Sequence, residues 1–298
     1  KTTGINFRYL FDTKNTNAKL TQTEDAIKTL EILKSLTDIS CVIVDNYHLD
    51  FVWEKALKQQ GYFVGAIDDY HDREHCCDLK ISDNDANCFE GELGHSMVLL
   101  TGLEYVLISS DHCGVPAKKS NKINNILITY GASDLTNETL KALSCIEYLI
   151  RSKSIENDVC INVVLGPLDS KGIEKKNFPL IKNLLVYRSP DGLIDLISQA
   201  DLVFTAGGNT LIECIALRRP TIVTVTADNQ QSITDKLQCL DVITVSGQSK
   251  SVSWKTLVNN FLEVADRTTP IIEAMERMSL IDCLGAERVY QKIRSLTR

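Results

Sequence analysis

What most restricts this chain is a repeated alternation, in which short β-branched apolar runs are separated by stretches of helical spacing. In order, INFRYLF, DAIKTLEILKSL, CVIVD, FVWEKALKQQ and YFVGAID read as strand, helix, strand, helix, strand. Such a series folds as parallel strands joined by crossover helices, because parallel neighbours cannot be closed by a tight hairpin. A less regular span from His71 to Ser120 follows, carrying the apolar pieces SMVLLTG and EYVLIS. The polar stretch from Pro116 to Asn125 then breaks the pattern as a linker. Beyond it NILITYG, CINVVLG, LLVYR, DLVFTAGG, TIVTVTA and VITVSG read as strands, with helices starting near Asn137, Ile173, Pro190, Asn209, Gln230 and Val252. The tail from Pro270 reads as one or two amphipathic helices with a break near Gly285. The expected fold class is α/β, with two doubly wound, Rossmann-like parallel sheets over residues 1–118 and 119–298 and a cleft between them.

At 298 residues and 44% hydrophobic, the chain can bury two cores. No apolar run reaches the roughly 18 residues that span a bilayer, and the opening KTTGINFRYL is not a signal peptide, so no membrane insertion and a cytoplasmic location are expected. A net charge of −7 with interspersed signs offers no basic stripe, which argues against a nucleic-acid partner. The ten cysteines lie mostly in apolar segments, as reduced thiols in a core do. His75 beside Cys76 and Cys77 lacks the spacing of a zinc site, so these too are read as structural thiols and no metal is expected.

Two strand ends carry the residues that matter for binding. After NILITY come Gly131, Ala132, Ser133 and Asp134, where small residues either make the turn or let a ligand approach the backbone. A phosphate there would meet the free amides of the following helix start. After DLVFT come Ala206, Gly207 and Gly208, with Asn209 or Thr210 capping an apolar helix. A pyrophosphate at that tip would meet backbone donors and the positive end of the helix dipole. Glu213, one turn in, has two readings: acceptor of both ribose hydroxyls, or second half of a capping box with Thr210. The next strand, TIVTVT, ends in Asp228, Asn229, Gln230 and Gln231 at the same sheet edge.

The combination GGNTLIE, RRPTIV and DNQQ resembles the nucleotide-binding half of GT-B-fold enzymes that use UDP-sugars. Within that group the chain resembles the UDP-sugar hydrolases of the pseudaminic acid pathway and related spore-coat polysaccharide proteins. VIVDNYHLDFVWEKAL, the segment from Ile67 to Asn84, LLTGLEYVLISSD, ITYGASD and IDCLGAERV match in order from about residue 41 to 290. The resemblance implies hydrolysis of a UDP-linked diacetamido-trideoxy sugar by water at the anomeric carbon, in nonulosonic acid or surface polysaccharide biosynthesis, with no cofactor. It implies nucleotide contacts at Gly131, Ser133, Gly207, Gly208, Asn209, Thr210, Glu213, Asn229 and Gln230. It places Tyr47 and Asp45 in catalysis, and Asp69, His75 and Asn84 near the sugar.

One family segment has no counterpart here: the first strand and Gly-x-Gly-His loop whose histidine activates water. Either the amino end lies outside this chain, as part of a larger polypeptide, which the opening Lys1 favours, or the protein lacks that base. Two rival readings stand beside hydrolase: a GT-B glycosyltransferase using a UDP-sugar, resembling the UDP-GlcNAc transferase of peptidoglycan synthesis, and a nucleotide-sugar-binding protein without catalysis.

Overall fold

The computed structural model describes residues 20–70, 73–83, 97–118, 122–169, 172–278 and 281–297. The INFRYLF segment lies outside them. Two compact units emerge, one comprising residues up to Tyr105 with those from Glu287 onward, the other running from Val106 to Ala286. The division falls ahead of the polar Pro116–Asn125 stretch, and the tail returns to the first unit.

In the first unit four parallel strands lie in chain order: β1 (Val42–Val44), β2 (Val64–Ile67), β3 (Leu79–Ser82) and β4 (Val98–Thr101). Helix α1 (Gln22–Lys34) opens on a capping box, in which Thr21 accepts from the Glu24 amide while Glu24 accepts from the Thr21 amide. Helix α2 (Phe51–Lys58) opens on Asp50, whose side chain accepts from the Val52 amide. Together Trp53, Leu57, Val44 and Val64 form a core with Ala26 and Leu33 of α1. EYVLIS, read as a short apolar run, forms no strand; Leu103–Tyr105 is a single 3₁₀ turn. β3 lies inside the span that reads as irregular. Its apolar pattern is broken by Lys80, yet that lysine is fully buried because Asp68 meets its ammonium at 2.6 Å.

The second unit holds six parallel strands: β5 (Asn125–Thr129), β6 (Cys160–Leu165), β7 (Asn183–Arg188), β8 (Leu202–Ala206), β9 (Thr221–Val225) and β10 (Thr244–Gln248). Their order is β10-β9-β8-β5-β6-β7. The helices are α3 (Glu138–Arg151), α4 (Ile194–Gln199), α5 (Asn209–Ala216), α6 (Gln231–Cys239) and α7 (Trp254–Met278). The helix expected near Ile173 is reduced to a 3₁₀ turn at Lys175–Asn177. Pro179 explains this, since a residue before proline is pushed out of the helical region, and Phe178 sits at φ −131°, ψ 67°. Helix α7 continues through Pro270, and the break comes before α8 (Gly285–Leu296). Val289 and Ile293 of α8 pack on Leu79, Ile81 and Leu100 of the first unit. Among the described residues no helix is long and apolar enough to cross a membrane.

Candidate nucleotide site and sugar-side residues

The strand order of the second unit reverses once. From β5 the chain builds outward through β6 and β7, then returns to lay β8 on the other side of β5, pairing Thr129 with Thr205. Where order reverses, successive crossovers leave on opposite faces, and a crevice opens beyond the carboxyl ends of the two strands. Both glycine turns sit there: Gly131 to Asp134 follow β5, and Gly207-Gly208 follow β8.

The two turns differ. Gly131 adopts φ +77°, a conformation that favours glycine. Its loop is tied down by the Leu168 amide, which donates to the Ala132 carbonyl at 3.0 Å. The buried Asp134 carboxylate accepts from the Glu138 and Thr139 amides at 2.8 and 2.9 Å. The first amides of α3 are therefore taken by the protein's own carboxylate, and the expected contacts at Gly131 and Ser133 concern the turn itself. Gly131 is exposed and Ser133 half-buried at the rim of this turn.

At β8, Gly207 is packed rather than open. A Cβ there would lie 2.5 Å from Thr234 Oγ1 and 2.9 Å from Gln230 Cβ, and its amide donates to Gln230 Oε1 at 3.2 Å. The same oxygen accepts from the Thr226 amide at 2.9 Å, so Gln230 braces the two turns against each other. The Gly207 N–H and Gln230 Oε1 thus satisfy one another, so a ligand contact at either residue would use its other polar atoms. Gly208 has nothing within 4 Å of where a Cβ would lie. It is the N-cap of α5, and as a glycine it offers no side chain to cap that helix. By helix geometry the amides of Asn209 and Thr210 have no intrahelical acceptor. Asn209 is exposed, with Thr210 and Asn229 half-buried.

The capping box does not form. With Gly208 as N-cap, Glu213 lies beyond the third helical position and its carboxylate stands elsewhere, 3.8 Å from His112 Nε2. Its side chain is 27% exposed. Burial pushes the Glu213 carboxyl above its ordinary range, against the pull of His112. His112 was not among the residues the sequence singled out, because its pairing with Glu213 is long-range. The only local hint is the polar run Ser109 to His112 after an apolar segment.

In the first unit the candidates again follow strand ends. Asp45 is exposed just after β1, and the Tyr47 hydroxyl donates to Asp69, beyond β2, at 3.0 Å. Tyr47 is 53% exposed, with Tyr70 edge-on at 5.4 Å and the Arg73 guanidinium 5.7 Å from its ring centre. The fold brings Tyr47 and Asp69 together. His75 is instead internal, its side chain 4% exposed, with Nδ1 2.6 Å from Glu54 Oε1 and Nε2 3.2 Å from Asp68 Oδ2. Burial opposes its charge, but the bonds to Asp68 and Glu54 prevail and raise its pKa. Burial likewise opposes ionised Asp68, yet the bonds from His75, Lys80 and Arg73 hold it far below the usual carboxylate range. Asn84 lies outside the described residues.

Donor atoms of Glu54, His75 and Cys77 lie within 4.8 Å of one another. Lys80 and Arg73 beside them disfavour a further cation. Burial foremost pushes the Cys77 thiol up to about 12, away from the thiolate a metal needs. The reading of every cysteine as a free thiol fails at Cys113 and Cys283, which form a disulfide.

In structure the chain is similar to MurG of Acinetobacter baumannii, at 13% identity and TM-score 0.60, covering 92% of this chain and 78% of that one. It is similar to the pneumococcal O-GlcNAc transferase GtfA, solved with UDP and GlcNAc, at 14% identity and TM-score 0.56, covering 92% and 60%. A Listeria monocytogenes protein described as a UDP-N-acetylglucosamine 2-epimerase matches at 13% identity and TM-score 0.61, covering 92% and 78%. The fold is of the GT-B type. In sequence, 109 residues are 34% identical to MJ1062 of Methanocaldococcus jannaschii, over 35% of this chain and only 21% of that protein's length. No family model matches the chain.

Proposed function

We propose that the chain is a nucleotide-sugar enzyme of the glycosyltransferase kind, holding the diphosphate of a UDP-sugar at the tip of α5 and its ribose against Glu213. One observation supports this above the others. At the reversal of strand order, α5 begins with an open Gly208 that offers no capping side chain of its own, while Glu213 stands one turn in, outside the capping box its spacing suggests. Breaking the anomeric bond leaves negative charge on the diphosphate, and amides already fixed by the fold stabilise it without reorganising. The dipole of α5 adds about 0.3–1 kcal/mol. An acceptor hydroxyl then takes the sugar. Names of the structural neighbours, which include transferases and one solved with UDP and GlcNAc, agree with this direction.

Hydrolysis is the second reading, and the Tyr47–Asp69 pair favours it. A hydroxyl already donating to a carboxylate at 3.0 Å can relay a proton from an attacking water to Asp69. The motif resemblance to the UDP-sugar hydrolases supports the same reading. Incubation with a panel of UDP-sugars, following UDP release with and without hydroxyl acceptors, tests both. Release that requires an acceptor is the expected result, and acceptor-independent release with free sugar selects hydrolysis. Binding without turnover leaves a binding protein, and failure to bind any UDP-sugar contradicts the proposal.

A further inference from the structure

His112 sits at the end of a 3₁₀ turn, Ser110–His112, and is buried. Its Nδ1 lies 3.0 Å from the Ser109 carbonyl. A carbonyl oxygen only accepts, so Nδ1 carries the proton and Nε2 is the edge left for other work. That edge faces Glu213 Oε1 at 3.8 Å, a separation for charge attraction rather than a formed hydrogen bond. The segment cannot readily swing away. Cys113, next in sequence, is bonded to Cys283, and Arg218 at the far end of α5 donates to the Val115 carbonyl at 3.2 Å.

The geometry assigns His112 as a positioning residue for Glu213, an assignment that rests on the reading of Glu213 as the ribose acceptor. A carboxylate has two oxygens. By charge attraction across 3.8 Å the imidazole biases the carboxylate to turn Oε1 toward it, leaving Oε2 for the vicinal hydroxyls of a nucleoside diphosphate. It also works against the burial that disfavours ionised Glu213, an acid that must stay charged while an anionic diphosphate binds nearby. Removing the imidazole lets the carboxylate rotate and lowers its value as an acceptor, without touching the amides at the tip of α5.

Titration calorimetry of the whole chain with UDP and with 2′,3′-dideoxy-UDP separates the roles. His112→Ala is expected to weaken UDP about tenfold and the dideoxy nucleotide less than about twofold, because only UDP addresses Glu213. His112→Gln, whose amide nitrogen reaches the place of Nε2, should stay within about threefold of the parent for both. Equal losses for both nucleotides in His112→Ala, or no loss for either, overturn the assignment, as does a His112→Gln variant as impaired as His112→Ala. The underlying ribose reading fails differently: the parent protein would then bind the two nucleotides equally, or bind neither.

Discussion

Gly207 and Gly208 are neighbours that do different things. A methyl group at Gly207 would run into Thr234 and Gln230, whereas one at Gly208 would meet open space at φ −98°, which any residue adopts. Gly207→Ala is therefore expected to cost about 1–3 kcal/mol through overpacking and to lower Tm by several degrees. Gly208→Ala should leave Tm nearly unchanged while weakening UDP binding, since the added methyl stands where a ligand would approach the amides. Thermal unfolding paired with UDP titration distinguishes the two, and identical behaviour would refute the distinction. Glu213→Ala should weaken UDP by at least about tenfold, or roughly 1.4 kcal/mol, by calorimetry. The sequence left Glu213 divided between ribose contact and capping box because Thr210 and Glu213 have the right spacing for either. Register removes only the capping box: the helix begins at Asn209 with Gly208 as cap, so Glu213 is too far along to reach back to the first amides, and the ribose contact rests on the proposal.

At the scale of elements, α3 and β3 show what local pattern conveys and what it omits. The strand ending at Thr129 and the helix from Glu138 are plain in the alternation, but the use of Asp134 is not, because an Asp in a turn reads the same whether it faces solvent or a helix start. Since its carboxylate takes two amides of α3, Asp134→Ala should cost about 0.5–2 kcal/mol, measurable by denaturant unfolding. β3 is hidden for another reason: Lys80 interrupts its apolar run, and its burial is tolerable through the distant Asp68, which also meets His75, itself paired with Glu54. That network predicts how stability follows pH. His75 has its pKa raised by folding, so its contribution is complete below the unfolded value of about 6.5 and fades as pH climbs through the raised one. Asp68 has its pKa lowered, so its contribution holds above about pH 4 and is lost as pH falls toward the folded value. Unfolding free energy should thus decline above pH 6.5, and His75→Gln should flatten that limb; an unchanged slope would remove His75 from the network.

Across the whole molecule, α/β class and two parallel sheets follow from the alternation alone, because most strands and helices, β3 apart, announce themselves within a dozen residues. Strand order does not, and it is the reversal between β5 and β8 that gives the two glycine turns a common location. Pairings between distant residues are equally silent in sequence, as with His112 and Glu213 or Cys113 and Cys283. The last pair is checked by peptide mapping under non-reducing conditions, which should recover Cys113 and Cys283 in one cross-linked species. The account turns on the open tip of α5. A crystal structure with UDP bound tests it most directly: the diphosphate should lie on the amides of Gly208, Asn209 and Thr210 with a ribose hydroxyl at Glu213, whereas UDP seated elsewhere, with that tip vacant, would contradict it.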